Sequence, residues 1–170
     1  GPSVVTVVRI DAGMNSLANG NGIIERGIDY IMAVKSNSGH TYQLLRAHLG
    51  SVTEPEYTEV EVVGGKQKER SLYRCGFPEG IGGWTHAREG WLVRSFVTDS
   101  NGVVSDVEER YFITSLKPYL NSHANVLRCV RNHWAMENTG NWVLDTLWKE
   151  DSAPWCNAAL ELVTLLRLIA

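Results

Sequence analysis

Two carboxylates stand apart by position. Asp11 closes the β-branched run Ser3-Val4-Val5-Thr6-Val7-Val8-Arg9-Ile10, and open α/β sheets place ligands and reacting groups at the carboxyl ends of their strands. Glu137 lies in Arg131-Asn132-His133-Trp134-Ala135-Met136-Glu137-Asn138, among groups too large and polar for an ordinary solvated helix face. The two are 126 positions apart. If the fold brings them to one point, their oxygens suit Mg2+ or Mn2+. A pair of such ions activates a water and stabilises the leaving oxygen in phosphoryl transfer. A plainer reading stands beside this one: Asp after a strand is often a turn or N-cap residue, and a helical Glu is usually solvated.

Other groups are weaker candidates. Cys129, His133 and Glu137 recur every four residues and share a helix face. Three successive turns spread them over about 10–12 Å, too far for one zinc ion, so their spacing is read as accidental. Lys35 is either a phosphate contact or a surface lysine, and the residues alone favour the surface. Trp134, Trp142 and Trp148 read as core packing, with base stacking as the alternative. Gly64-Gly65-Lys66 lacks the spacing of a phosphate loop.

The elements that must hold these groups follow from the hydrophobic pattern. Ser3–Ile10 is near-continuous in apolar residues and reads as an interior strand covered on both faces. A helix is expected over 16–26, weakened by Gly20 and Gly22 and stopped at Gly27. Tyr30–Lys35 reads as a second buried strand, Ser36–Gly39 as a turn and Thr41–Leu49 as a short helix. Strand, helix, strand in this order is a right-handed crossover with parallel pairing. From Tyr57 the pattern changes to strict alternation, with a turn at Gly64-Gly65 and further strands at Glu69–Cys75, Trp91–Thr98 and Glu108–Ser115. Ser100-Asn101-Gly102 reads as a hairpin turn. This block is expected to be antiparallel and half exposed. A long helix over 122–148, with a possible bend at Gly140, and an apolar helix over 157–169 complete the chain.

Composition narrows the classes. The 170 residues are 44% hydrophobic and 21% charged, which excludes wholesale disorder. No apolar run is long enough for a membrane helix, and no charged-then-apolar leader opens the chain, so a cytoplasmic location is expected. Gly1-Pro2-Ser3 resembles a tag-cleavage scar. Three cysteines without a close pair point to a reducing compartment. The net charge of −3 excludes nucleic-acid binding through general basicity, so any such function must rest on a local site.

At Glu137 the residues carry a resemblance. Arg131-x-His133-Trp134-x-Met136-Glu137-Asn138, then Trp142-Val143-Leu144-Asp145 and Glu150-Asp151, resembles the C-terminal signature of bacterial insertion-sequence transposases, in the branch related to the H-repeat-associated proteins. Asp11-Ala12 resembles that family's second catalytic Asp. Asp29-Tyr30 through Val34-Lys35-x-Asn37 is similar to its next strand, and Arg110–Leu116 to the strand before its long helix. The likeness runs from about residue 4 to 170. Ser16, Ser36, Ser38 and Asn141 depart from the family pattern.

The resemblance implies a partial ribonuclease H-like α/β fold: residues 1–56, an antiparallel β insertion over 57–117, and C-terminal helices over 118–170. It implies metal-dependent DNA strand cleavage and transfer, with Asp11 and Glu137 as the second and third acidic ligands of two Mg2+ (or Mn2+) ions. Lys35, Arg131, His133 and Asn138 would contact DNA. The first catalytic Asp belongs to a strand upstream, and no residue here takes its place, so this piece is expected to be inactive alone. In such a sheet the Asp11 strand pairs with that upstream strand, and an open edge in its absence points to a homodimer. The competing reading is a non-catalytic DNA-binding or repurposed interaction domain derived from a transposase.

Overall fold

A computed structural model describes residues 7–118 and 122–136. The chain forms two compact units, residues 1–129 and 130–170. The first unit is built on a six-stranded sheet in the order β1-β2-β6-β5-β4-β3. The strands are β1 (Val7–Ile10), β2 (Asp29–Val34), β3 (Tyr57–Val63), β4 (Lys66–Gly76), β5 (Glu89–Thr98) and β6 (Val104–Thr114). Helices α1 (Leu17–Ile24) and α2 (Gly39–Leu49) accompany the first two strands, and α3 (His123–Met136) follows β6. The first two turns of α3 belong to the first unit and the rest to the second.

β1 and β2 run parallel, Val7 opposite Asp29 through Ile10 opposite Met32, joined by α1. α1 ends at Ile24, two residues short of the expected 26. The turn after it closes at Gly27, whose φ of 70° suits a residue without a Cβ and whose N–H donates to the Ile24 carbonyl at 2.8 Å. All other pairings are antiparallel. The Gly64-Gly65 turn joins β3 to β4 with both glycines at positive φ, 58° and 77°, as a tight hairpin requires. β6 pairs with β2, Val34 opposite Tyr111, so the antiparallel block and the parallel pair share one sheet.

The two faces of the sheet are built differently. Tyr30, Met32, Val34, Tyr73, Leu92, Tyr111 and Ile113 form one face with Leu45 and Leu49 of α2, Trp84 and Ala87. Trp84 also donates its indole N–H to Thr41 Oγ1 at 3.1 Å. The other face carries Ile31, Leu72, Trp91, Val93 and Phe112, all buried. Arg9 lies on it too, in register with Ile31, and donates to the Cys129 carbonyl at 2.8 Å. His123 lies beside Tyr57, ring centroids 6.1 Å apart, so the first two turns of α3 lie on this second face.

One expectation is corrected. The Ser3–Ile10 run reads as interior, yet among the described residues β1 pairs only with β2, and Val7 is 36% exposed. A β-branched run reports burial of side chains, not which neighbours supply backbone partners. The expected helix at 157–169 and the continuation of the long helix beyond Met136 lie outside the described residues.

Candidate functional site

Parallel pairing brings the carboxyl ends of β1 and β2 to the same edge of the sheet, where Asp11 follows β1 and Lys35 follows β2. The Lys35 ammonium lies 3.8 Å from Asp11 Oδ1. Both side chains are open to solvent, 58% and 43% exposed, so the pair contributes only about 0–1 kcal/mol to stability. Its importance is placement rather than energy.

Local hydrogen bonds fix the placement. Asp11 has extended backbone, φ −70° and ψ 161°, and caps the 3-10 turn Ala12–Met14, its Oδ1 accepting the Ala12 N–H at 2.6 Å. Asn15 donates from Nδ2 to the Ala33 carbonyl at 2.9 Å, tying the turn after β1 to the end of β2. Ser16 caps α1 by accepting the Asn19 N–H at 3.1 Å. On the β2 side, Ser38 Oγ accepts the Lys35 N–H at 3.3 Å, and Ser38 N–H returns to the Lys35 carbonyl at 2.8 Å. Ser16 and Ser38, two of the positions departing from the family pattern, thus serve as local caps.

Beyond Lys35 the edge continues into a cluster of tyrosines and arginines. Tyr111, opposite Val34, meets Tyr42 of α2 edge-on at 5.3 Å and 81°. Its hydroxyl donates to Glu109 Oε2 at 3.0 Å. Burial first, then this hydrogen bond to a carboxylate, pushes the Tyr111 phenol up to about 12. Glu109 Oε1 accepts from Arg94 Nε at 2.9 Å and Nη2 at 2.7 Å. Burial works to raise the Glu109 carboxyl, but the hydrogen bonds from Arg94 and Tyr111 and the charges of Arg94 and Arg46 hold it below its ordinary value.

Of the residues singled out from sequence, Asp11 and Lys35 come together. Arg131 and His133 lie on the part of α3 that belongs to the second unit. Glu137 and Asn138 lie outside the described residues. Among the described residues no three His, Cys, Asp or Glu side chains stand close enough to hold a metal ion. Asp11 fits the role of one hard oxygen ligand: its Oδ1 is engaged by Ala12 and faces Lys35, which leaves the other carboxylate oxygen for a divalent cation. Asn15 and the Tyr42–Tyr111–Glu109–Arg94 cluster escaped the sequence reading. Only the tertiary fold joins them, although Asn15, four residues past Asp11 in a turn, offered a local sign.

The first unit is thus an α/β domain with a carboxylate and an ammonium side by side at the ends of two parallel strands. The transposase DDE domain matches residues 3–170, and the chain belongs to that family. It is similar to the Escherichia coli (strain K12) protein YbfL, 26% identical over 140 residues, which cover 76% of this chain and 36% of YbfL. The chain therefore spans little more than a third of the length of this curated relative. Among the described residues no helix is long and apolar enough to cross a membrane.

Proposed function

We propose that this chain is part of a transposase catalytic domain of ribonuclease H-like architecture that cleaves and transfers DNA strands. The observation that carries the reading is Asp11 at the carboxyl end of β1 beside Lys35 at the end of β2, in a chain matched over residues 3–170 by the transposase DDE domain. Asp11 and Glu137 would hold Mg2+ or Mn2+, which supplies charge neutralisation and an activated water for in-line attack on a phosphodiester. The cap to Ala12 holds the Asp11 carboxylate at the strand end. Lys35, opposite it, attracts the phosphate of the strand to be cut, with Arg131, His133 and Asn138 as further DNA contacts.

No residue here matches the family's first acidic position, so cleavage needs a third carboxylate from outside these residues, and the 170 residues alone do not cut DNA. The partition into 1–56, 57–117 and 118–170 belongs to this reading, with the antiparallel strands as an insertion built onto the sheet of the parallel pair. The partners are DNA and a second copy of the chain covering β1, which has one strand neighbour among the described residues. The protein works in the bacterial cytoplasm, at the nucleoid when bound to DNA.

Convergence of the two acids is the point to test. Cys75, Cys129 and Cys156 are replaced, cysteines are installed by Asp11→Cys and Glu137→Cys, and a short bifunctional thiol cross-linker is applied. Ions roughly 3.5–4 Å apart require the two side chains to lie within about 10 Å, so efficient intramolecular cross-linking is expected. A folded protein that does not cross-link leaves the strand-cleavage reading without a site, and the interaction-domain reading takes its place.

A further inference from the structure

Tyr42 and Arg46 are one turn apart on α2 and share a helix face. The Arg46 guanidinium carbon lies 5.7 Å from the centre of the Tyr42 ring, within cation–π range. Tyr42 is in turn braced by Tyr111, ring centroids 5.3 Å apart. Tyr111 pairs with Val34, the residue before Lys35. A continuous set of contacts therefore leads from the Asp11–Lys35 pair across β6 to the outer side of α2.

The charges along this path are unequal. Arg94 and Arg46 gather near one carboxylate, Glu109, whose lowered carboxyl pKa reflects both. Glu109 spends its hydrogen bonds on Arg94 and on the Tyr111 hydroxyl. Arg46 is exposed; its guanidinium lies over the Tyr42 ring and shares the charge of Glu109 with Arg94. In a chain of net charge −3, an exposed guanidinium laid over a ring and sharing one carboxylate with a second arginine is a feature a polyanion can use. A planar guanidinium suits a phosphate better than an ammonium does.

We propose that Arg46, held on Tyr42, is a DNA phosphate contact that guides the backbone away from the Asp11–Lys35 end of the sheet. The proposal rests on the DNA-cleaving reading above and adds a residue and a direction to it. Arg46 is seven residues along α2 from Gly39, about 10 Å at 1.5 Å per residue. At roughly 3.4 Å of helix axis per nucleotide, that spans about three nucleotides of one strand.

The test is fluorescence anisotropy of an end-labelled duplex of about 20 base pairs, titrated with the full chain at several salt concentrations. The variants are Arg46→Ala, Arg46→Lys and, as a control, Arg88→Ala. Arg88 is exposed and lies at the opposite end of the sheet, its N–H donating to the Thr114 carbonyl at 2.8 Å. Arg46→Ala is expected to weaken binding by about threefold to tenfold. It should also make the log–log salt slope shallower by about 0.9, because one phosphate fewer is neutralised. Arg46→Lys should keep the slope, and Arg88→Ala should change neither quantity. An unchanged slope in Arg46→Ala, or an equal weakening in Arg88→Ala, overturns the role of Arg46 while the DNA reading stands. No duplex binding by the unaltered chain overturns the DNA reading and the role of Arg46 with it.

Discussion

The second face of the sheet holds a buried ion pair whose removal should be felt throughout the first unit. Arg74 and Glu89 face each other from β4 and β5 with side chains only 6% and 7% exposed. Arg74 Nη2 donates to both Glu89 oxygens, at 2.8 Å and 2.6 Å, and Trp91 donates its indole N–H to Glu89 Oε2 at 2.9 Å. Arg74 Nη2 also reaches the Pro118 carbonyl at 3.4 Å, on the way into α3. Glu89→Gln preserves the volume but turns one acceptor oxygen into an NH2 group, which then faces Arg74 or Trp91 donor to donor. It also removes the nearer countercharge of a buried guanidinium, leaving Glu56, whose Oε2 lies 4.0 Å from Arg74 Nε. Breaking a pair of this kind costs about 3–5 kcal/mol, a large share of a total stability of about 5–15 kcal/mol. The measurement is urea unfolding followed by tryptophan fluorescence. A cycle is made with the single variants Arg74→Met and Glu89→Leu and the double variant Arg74→Met/Glu89→Leu. Replacing both charges with apolar groups is often close to neutral, so the double variant should be more stable than either single one. A Glu89→Gln protein within about 1 kcal/mol of the unaltered chain, or singles that simply add in the double variant, would refute the reasoning.

Glu109 gives a pH-dependent counterpart at the surface. Its carboxyl is held below the ordinary value in the folded protein, so its stabilising effect is complete above the unfolded pKa of about 4.3 and lost as pH falls through the lower folded value. Arg94 and Glu109 are 41% and 39% exposed, so Glu109→Gln should cost only about 0.2–1 kcal/mol near pH 7. In paired unfolding curves that difference should shrink as pH falls below the unfolded pKa of about 4.3 and be gone once pH is below the lowered folded value; a constant difference across the acid range would contradict the assignment. The side of β1 that has no strand neighbour among the described residues gives the last expectation. Light scattering at rising concentration should show dimers, and Val7→Lys, which adds charge at the strand edge, should shift them towards monomer. A protein that stays monomeric at high concentration rules the dimer out.

Local pattern was legible where a local rule determines the outcome. Alternation over 58–62 and the Gly64-Gly65 turn gave the β3–β4 hairpin, because period two and positive φ are properties of short segments. The β5–β6 turn was placed at Ser100–Gly102, but the side chain that builds it is Asp99, whose Oδ1 accepts the N–H groups of Asn101 at 2.8 Å and Val103 at 2.9 Å. Gly20 reads in the sequence as a weak point of α1. In the fold a Cβ there would lie 2.7 Å from Trp84 Cζ3, so the glycine lets a buried ring approach the helix. Nothing local announces Trp84 as that neighbour. The pairing of β6 with β2 and the meeting of Arg74 with Glu89 were hidden for the same reason: they depend on which strands become neighbours.

At Asp11 the structure shows the plain reading, and that reading does not exclude the catalytic one. Asp11 is an N-cap, as the plain reading held, with Oδ1 engaged by the Ala12 N–H at 2.6 Å. Capping does not consume the carboxylate, which has several acceptor positions on its two oxygens. The cap instead removes rotational freedom, so the second oxygen stands at the end of β1 without further ordering cost. Asn15 strengthens the effect, since its bond to the Ala33 carbonyl at 2.9 Å keeps the turn after β1 against the strand that leads to Lys35. In the function proposed above, a carboxylate held in this way would meet a cation already oriented. The hydrogen bonds that make Asp11 look merely structural are therefore those that would prepare it for the proposed chemistry.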